Sequence, residues 1–374
     1  PGMRSAMQVD IPKMIEGGLD TAFFVVYVPQ TTLTPENYAK AKEVAMTRFN
    51  AIRRMALEQY PDQIGFATSA ADVRRLHDEG KLAALIGTET AFALGNDLER
   101  LDDYYDLGAR YMSLTHNGPN DFADSCCLRD APGDAVEPIY DGVSELGAAA
   151  IAEMNRLGIM VDVAHAAKAT VLDAAALSQA PIMSSHSALQ HFVDIERNLD
   201  DDSLRAIAET GGVVQVVAFD TYIKPQAPEK TAAIAELRAK YGINRFGAFQ
   251  AMADDERAAS QAERADIDAR YPPAWVTDLV DNIDYAVEIM GIDHVGVSSD
   301  FNGGGGIVGW QDASETFNVT AEMLRRVPDG AGMWPTPFRP AWQARFRAAR
   351  AALAEARARL ADAERRRPAG RGLS

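Results

Sequence analysis

Short apolar runs recur along this chain, and stretches of helical spacing separate them. The runs are 22–28 (A-F-F-V-V-Y-V), 83–89 (A-A-L-I-G-T-E), 109–116 (A-R-Y-M-S-L-T-H), 159–165 (I-M-V-D-V-A-H), 181–186 (P-I-M-S-S-H), 212–218 (G-V-V-Q-V-V-A) and 294–300 (H-V-G-V-S-S-D). Near-continuous apolar runs of this length read as strands buried on both faces. Amphipathic patterns at 35–59, 70–79, 147–157, 168–177, 201–210 and 276–290 read as helices, the first opened by Thr34 and Pro35. Strand and helix in strict alternation predict a parallel sheet with crossover helices. The expected fold class is α/β, a TIM-type (β/α)8 barrel.

A closed barrel of this type has eight strands, and the pattern supplies seven. Residues 1–21 read as loop plus a short helix. The first strand is therefore expected to be missing from this chain. Barrel sequence is expected over 1–326, with a charged, helix-forming insertion at 224–273 between the last two runs. The insertion would cover the barrel mouth or support a subunit contact. Residues 327–374 form a divergent tail; from Arg339 onward it holds ten arginines, three acidic residues and no lysine. It reads as an exposed amphipathic helix or a disordered basic segment.

The net charge is −17, which argues against nucleic acid and anionic membrane surfaces as partners. No apolar run reaches transmembrane length. No signal peptide is visible in a chain that begins at Pro1. The compartment stays open: cytoplasmic, or periplasmic or secreted if a leader was lost with the N-terminus. The two cysteines, Cys126 and Cys127, are adjacent; they form neither a disulfide framework nor a zinc-ribbon pattern and read as loop thiols near a site.

The polar residues that close the runs carry the chemistry. Glu89, His116, His165, His186 and Asp300 each stand at or just past the C-terminal end of an apolar run. That end of each strand is where a parallel barrel builds its active site. Glu89, His165, His186 and Asp300 are ligand types that suit zinc or a similar divalent ion. A carboxylate can bridge two metals, and Glu89 is the best placed to do so. Asp300 is also placed to take and return a proton. Each residue has a structural alternative, since a single histidine after a strand is commonly a satisfied core residue; the joint pattern is what argues for a site. His77 reads as solvent-exposed, His294 as structural because it starts a run, and His191 as either. Arg197, in the loop after 181–186, suits a two-pronged grip on a carboxylate, or else a surface pair with Glu196 or Asp194. The run Gly303 to Gly306 lacks the spacing of a phosphate loop and reads as a flexible loop beside the site.

With these residues in hand, the chain resembles the membrane (renal) dipeptidase family of zinc metallopeptidases. The resemblance rests on V-D-I-P-K-M-I-E-G-G, G-T-E, L-T-H-N, F-A-D-S, D-V-A-H, S-S-H-S, R-N-L and S-S-D-F-N-G, in that order over about 9–326. It implies a two-zinc dipeptidase in which Glu89 bridges the metals and His165 and His186 complete one metal's shell. Asp300 would serve the other metal and shuttle a proton to the leaving amine. His116 would stabilise the developing oxyanion, and Arg197 would hold the dipeptide's C-terminal carboxylate. Such sites often accept a D-residue at the C-terminal position, and members often form homodimers.

Three departures follow. The family opens with a His-x-Asp pair on its first strand, whereas no histidine precedes His77 here. One metal site is therefore expected to be depleted, with weak or no turnover from this chain. After Arg326 the sequence leaves the family's pattern. Thr90 stands where the family usually has glycine. The competing expectations are a degenerate, non-catalytic barrel, or a different amidohydrolase-type barrel such as a deaminase or lactonase. The latter commonly uses a strand-end lysine or a further histidine in place of Glu89.

Overall fold

The structure, a computed structural model, describes residues 7–127, 137–243, 248–249 and 251–326. The tail anticipated at 327–374 lies outside the described residues. Eight strands form one parallel sheet: β1 (Thr21–Tyr27), β2 (Ile64–Phe66), β3 (Leu82–Glu89), β4 (Ala109–Ser113), β5 (Met160–Asp162), β6 (Met183–Ser187), β7 (Val213–Val217) and β8 (Val295–Ser298). Seven of them run in the order β1-β3-β4-β5-β6-β7-β8, and the short β2 pairs β3 beside the main path. The seven are the runs read from sequence. β2 is the addition; at three residues it is too short to show a period.

Helices connect the strands: α1 (Ile11–Gly17), α2 (Pro35–Arg54), α3 (Ala70–Asp78), α4 (Arg100–Asp106), α5 (Glu145–Leu157), α6 (Lys168–Leu177), α7 (Asp201–Glu209), α8 (Asp220–Ile223), α9 (Pro228–Lys240), α10 (Asp254–Arg270), α11 (Val276–Met290) and α12 (Thr316–Arg326). Local chemistry sets their ends. Thr34, Ser69, Ser144 and Asp200 each accept a first-turn amide, from Asn37, Asp72, Gly147 and Ser203. Each such cap contributes about 1 kcal/mol. Gly158 ends α5 at φ 86, in the left-handed region that favours glycine.

This is the β/α alternation of a (β/α)8 barrel, with every pairing parallel. Among the described residues no pairing joins β8 to β1. Both terminal strands expose an apolar side chain, Val25 at 40% and Val297 at 38%. Inner strands behave differently: Ile86, Met112, Val161, Val214 and Val216 are fully buried, as strands covered on both faces require.

The anticipated insertion contains α9 and α10. It is rooted at the C-terminal end of β7, where the buried Lys230 ammonium sits 2.8 Å from Asp220 Oδ2. Asp220 also accepts the Ala274 amide at 2.6 Å, which holds the two ends of the excursion together.

Candidate metal centre

Glu89 is the last residue of β3 and lies opposite Tyr27, the last residue of β1, in the strand register. His116 and His165 follow β4 and β5, and His186 lies within β6. Their rings form a row with Tyr27. Centroid separations are 4.9 Å for Tyr27–His116, 4.3 Å for His116–His165 and 5.0 Å for His165–His186.

Three ligand atoms converge. Glu89 Oε1 is 3.3 Å from His186 Nε2 and 3.6 Å from His165 Nε2, and the two nitrogens are 3.0 Å apart. Donors about 2.0–2.1 Å from a tetrahedral ion stand about 3.3 Å from one another, so the spacing fits zinc. The chemistry of the set fits too. His165 Nδ1 lies 3.1 Å from the Asn117 side-chain oxygen, an acceptor, so the ring proton belongs there and Nε2 carries a lone pair. With His186 Nε2 likewise unprotonated, two lone pairs and a carboxylate oxygen would face one another, a set that a bound cation stabilises.

Electrostatics follow the same geometry. Burial alone would raise the Glu89 pKa, but His186, His116 and Arg197 outweigh it and hold it at about 2. Burial lowers His116 to about 4, against the pull of Glu89. Burial together with Arg197 and the neighbouring histidines pushes His165 well below its ordinary value. Burial opposes the charge on His186, but Glu89 prevails and its pKa is raised. Tyr27 is pushed up to about 12 by burial and by Glu89.

The other expected residues fall as follows. His116 Nε2 is 3.8 Å from Glu89 Oε1, at the edge of the cluster. Asp300 follows β8 in a left-handed turn at φ 51, outside the three-residue ligand cluster but within electrostatic reach of His186, Glu89 and Arg197. Burial raises its pKa. Arg197 is 7% exposed and is not a surface residue. It donates to Ser187 Oγ at 2.9 Å and to the His186 carbonyl at 2.6 Å, and lies over the Tyr222 ring. Its Nε–H has no hydrogen-bond partner among the described residues. The glycine run closes around Asp300: a Cβ at Gly303 would stand 2.1 Å from Asp300 Oδ1. His77 is exposed, His294 bonds the Gly212 carbonyl at 2.7 Å, and His191 stacks on Tyr285 at 3.9 Å. Cys126 is buried and Cys127 half-buried, and neither forms a disulfide.

Sequence reasoning missed four contributors. Tyr27 hides inside an apolar run. Asn117 follows His116 directly and orients His165. Ser125, in F-A-D-S, lies 2.5 Å from the His116 carbonyl and 3.0 Å from that of His165, tying the two loops. Asp162, in D-V-A-H, is fully buried and held by the Ala164 amide at 3.0 Å and the Ser185 amide at 2.8 Å. The quoted motifs contained the last three, and gave them no role.

Fold and site together define a parallel α/β chain of barrel type with a cluster at its strand ends, Glu89, His165 and His186, that could hold a metal ion. The chain belongs to the membrane dipeptidase family, peptidase family M19, whose profile matches residues 3–333. It is 31% identical over 325 residues to dipeptidase aclJ of Aspergillus oryzae, covering 85% of this chain and 65% of that protein. Dipeptidase tcpJ of Claviceps purpurea is 28% identical, with 86% and 64% covered. The chain thus spans just under two thirds of the length of these curated relatives. Among solved structures, the probable dipeptidase PvdM of Pseudomonas aeruginosa superposes with a TM-score of 0.73 at 34% identity, covering 88% of this chain and 85% of that one. A metallopeptidase of Rhodobacter sphaeroides, liganded with a phosphinate mimic of L-Ala-D-Ala, shares the fold at a TM-score of 0.65 and 23% identity, with 87% and 86% covered. No helix among the described residues is long and apolar enough to cross a membrane.

Proposed function

We propose that this chain is a zinc-dependent dipeptidase whose metal is held by Glu89, His165 and His186. The convergence of three lone-pair donors at tetrahedral spacing carries the reading. Family membership and the dipeptidase relatives support it. Bound zinc would supply Lewis-acid polarisation of the scissile carbonyl and an activated water nucleophile.

The chain's own residues do the rest. Arg197, buried and charged with a spare Nε–H, grips the C-terminal carboxylate of the dipeptide. His116, kept neutral by burial, donates a ring N–H to the oxyanion as it develops. Asp300 takes a proton during attack and returns it to the leaving amine, and would serve as a further ligand to the bound metal. A D-residue at the C-terminal position is the preference to test, because a structure of the same fold holds a mimic of L-Ala-D-Ala.

The test is elemental analysis for zinc together with hydrolysis of L-Ala-D-Ala and L-Ala-L-Ala on one preparation. At least one zinc per chain is expected, with turnover lost to a chelator and restored by added zinc. No bound zinc, and turnover no higher than that of Glu89→Ala, would overturn the reading.

A further inference from the structure

The buried carboxylate of Asp162 contacts neither Glu89 nor the cluster histidines directly, yet it is joined to one of them. Its Oδ1 accepts the amides of Ala164 and Ser185 at 3.0 and 2.8 Å. Its Oδ2 is 2.6 Å from Ser185 Oγ, and that same oxygen is 2.8 Å from His186 Nδ1. A serine hydroxyl has one proton. Burial raises the Asp162 pKa, but two backbone amides and Ser185 favour the ionised form; an ionised carboxylate can only accept, so the serine proton then lies on the Asp162 side and Ser185 Oγ accepts from His186 Nδ1–H. The ring's lone pair is left on Nε2, the atom that faces Glu89 Oε1 at 3.3 Å.

We propose that Asp162 is a positioning residue which, through Ser185, fixes His186 in the Nδ1–H form with Nε2 free to bind the metal. The proposal rests on the reading of His186 as a metal ligand. Asn117 does the same for His165 by direct contact. His186 differs in that a neutral hydroxyl, able to donate or accept, stands beside its ring; the buried carboxylate behind it selects the direction. A carboxylate behind a ligand histidine is a general device for holding the ring and its tautomer.

The arrangement makes Asp162→Asn specifically harmful. The two backbone amides on Oδ1 require an oxygen there, so the new –NH2 is turned toward Ser185. It then donates to Ser185 Oγ, the serine hydroxyl turns to donate to His186 Nδ1, and the ring carries its one proton on Nε2 instead, facing the metal site. Ser185→Ala breaks the connection without reversing it. Ser185→Thr preserves it.

Two readouts test this on the full chain. Long-range 1H–15N spectra of metal-free, 15N-histidine-labelled protein report the His186 tautomer above the pKa found in the same titration. Competition with a chromophoric chelator reports zinc affinity. Expected are Nδ1–H in the unmodified protein and in Ser185→Thr, Nε2–H in Asp162→Asn, and loss of the fixed preference in Ser185→Ala. Zinc affinity should fall by on the order of 10–100-fold in Asp162→Asn and Ser185→Ala, and stay within about twofold in Ser185→Thr. If Asp162→Asn does not fold, the serine pair decides. An Nε2–H tautomer in the unmodified protein, or an unchanged tautomer and affinity in Ser185→Ala, overturns the proposal. The tautomer measurement requires neither metal nor turnover, so its failure is distinct from failure of the dipeptidase reading.

Discussion

The ring of Tyr111 fills the space where Gly87 would carry a side chain: a Cβ built on Gly87 lies 2.0 Å from Tyr111 Cζ. Tyr111 is itself only 4% exposed and packs on Phe23 at 5.0 Å, so it has nowhere to go. Gly87→Ala should cost about 1–3 kcal/mol through overpacking. Combining it with Tyr111→Leu should recover part of that loss, whereas Tyr111→Phe, which keeps Cζ, should recover none. Urea unfolding of the three variants checks the order.

Thr90 follows Glu89 with φ 78, a left-handed conformation unfavourable for a β-branched residue. Such strain costs about 1–3 kcal/mol, while the added freedom of glycine in the unfolded chain costs about 0.4–1 kcal/mol. Thr90→Gly should therefore raise the unfolding midpoint slightly. The opposite shift would mean that the Thr90 hydroxyl, which accepts the Phe92 amide at 3.3 Å, matters more than the backbone.

Lys13 and Asp312 hold α1 to the segment beyond β8 through a 3.1 Å pair, with Ser314 donating to the same carboxylate. Burial alone would raise the Asp312 pKa, but Ser314 and Lys13 outweigh it and lower it. A lowered folded pKa gives stability that is present above the unfolded value of about 3.9 and lost as pH falls through the folded one. Asp312→Asn should cost about 1–3 kcal/mol at pH 7, and its deficit should shrink as pH drops below about 4. A deficit that stays constant from pH 7 to pH 2.5 would contradict the assignment.

Arg197 offers a kinetic test. Replacing it with Met should raise KM for L-Ala-D-Ala by roughly 10–150-fold, the equivalent of a charge-assisted bond of about 1.5–3 kcal/mol, with a smaller fall in kcat. The corresponding dipeptide amide, which lacks the carboxylate, should be nearly insensitive to the change. Equal losses for both substrates would assign Arg197 to holding the His186 loop alone.

Much of this was legible in the sequence because two periodicities coincide. Seven apolar runs set the seven strands of the main path, and the residues that close them bring Glu89, His165 and His186 to one end of the sheet. A run shows where a side chain will stand, not what will stand beside it. Asn117, Ser125, Asp162 and Ser185 act through hydrogen bonds between separate strand ends, and no spacing encodes such a bond. β2 escaped because three residues cannot show a period. Arg197 was left between a carboxylate grip and a surface pair; burial excludes the second, which composition alone could not do.

The ligand cluster draws Glu89 from β3 and His186 from β6, with β4 and the His165-bearing end of β5 between them. No contiguous fragment shorter than this span contains it, and no local element nucleates it. On the proposed reading, zinc binding is therefore linked to the assembly of β3 through β6. A metal that binds only the assembled chain adds its binding free energy to folding stability. Metal uptake during refolding should accordingly lag behind helix formation and report the pairing of β3 through β6.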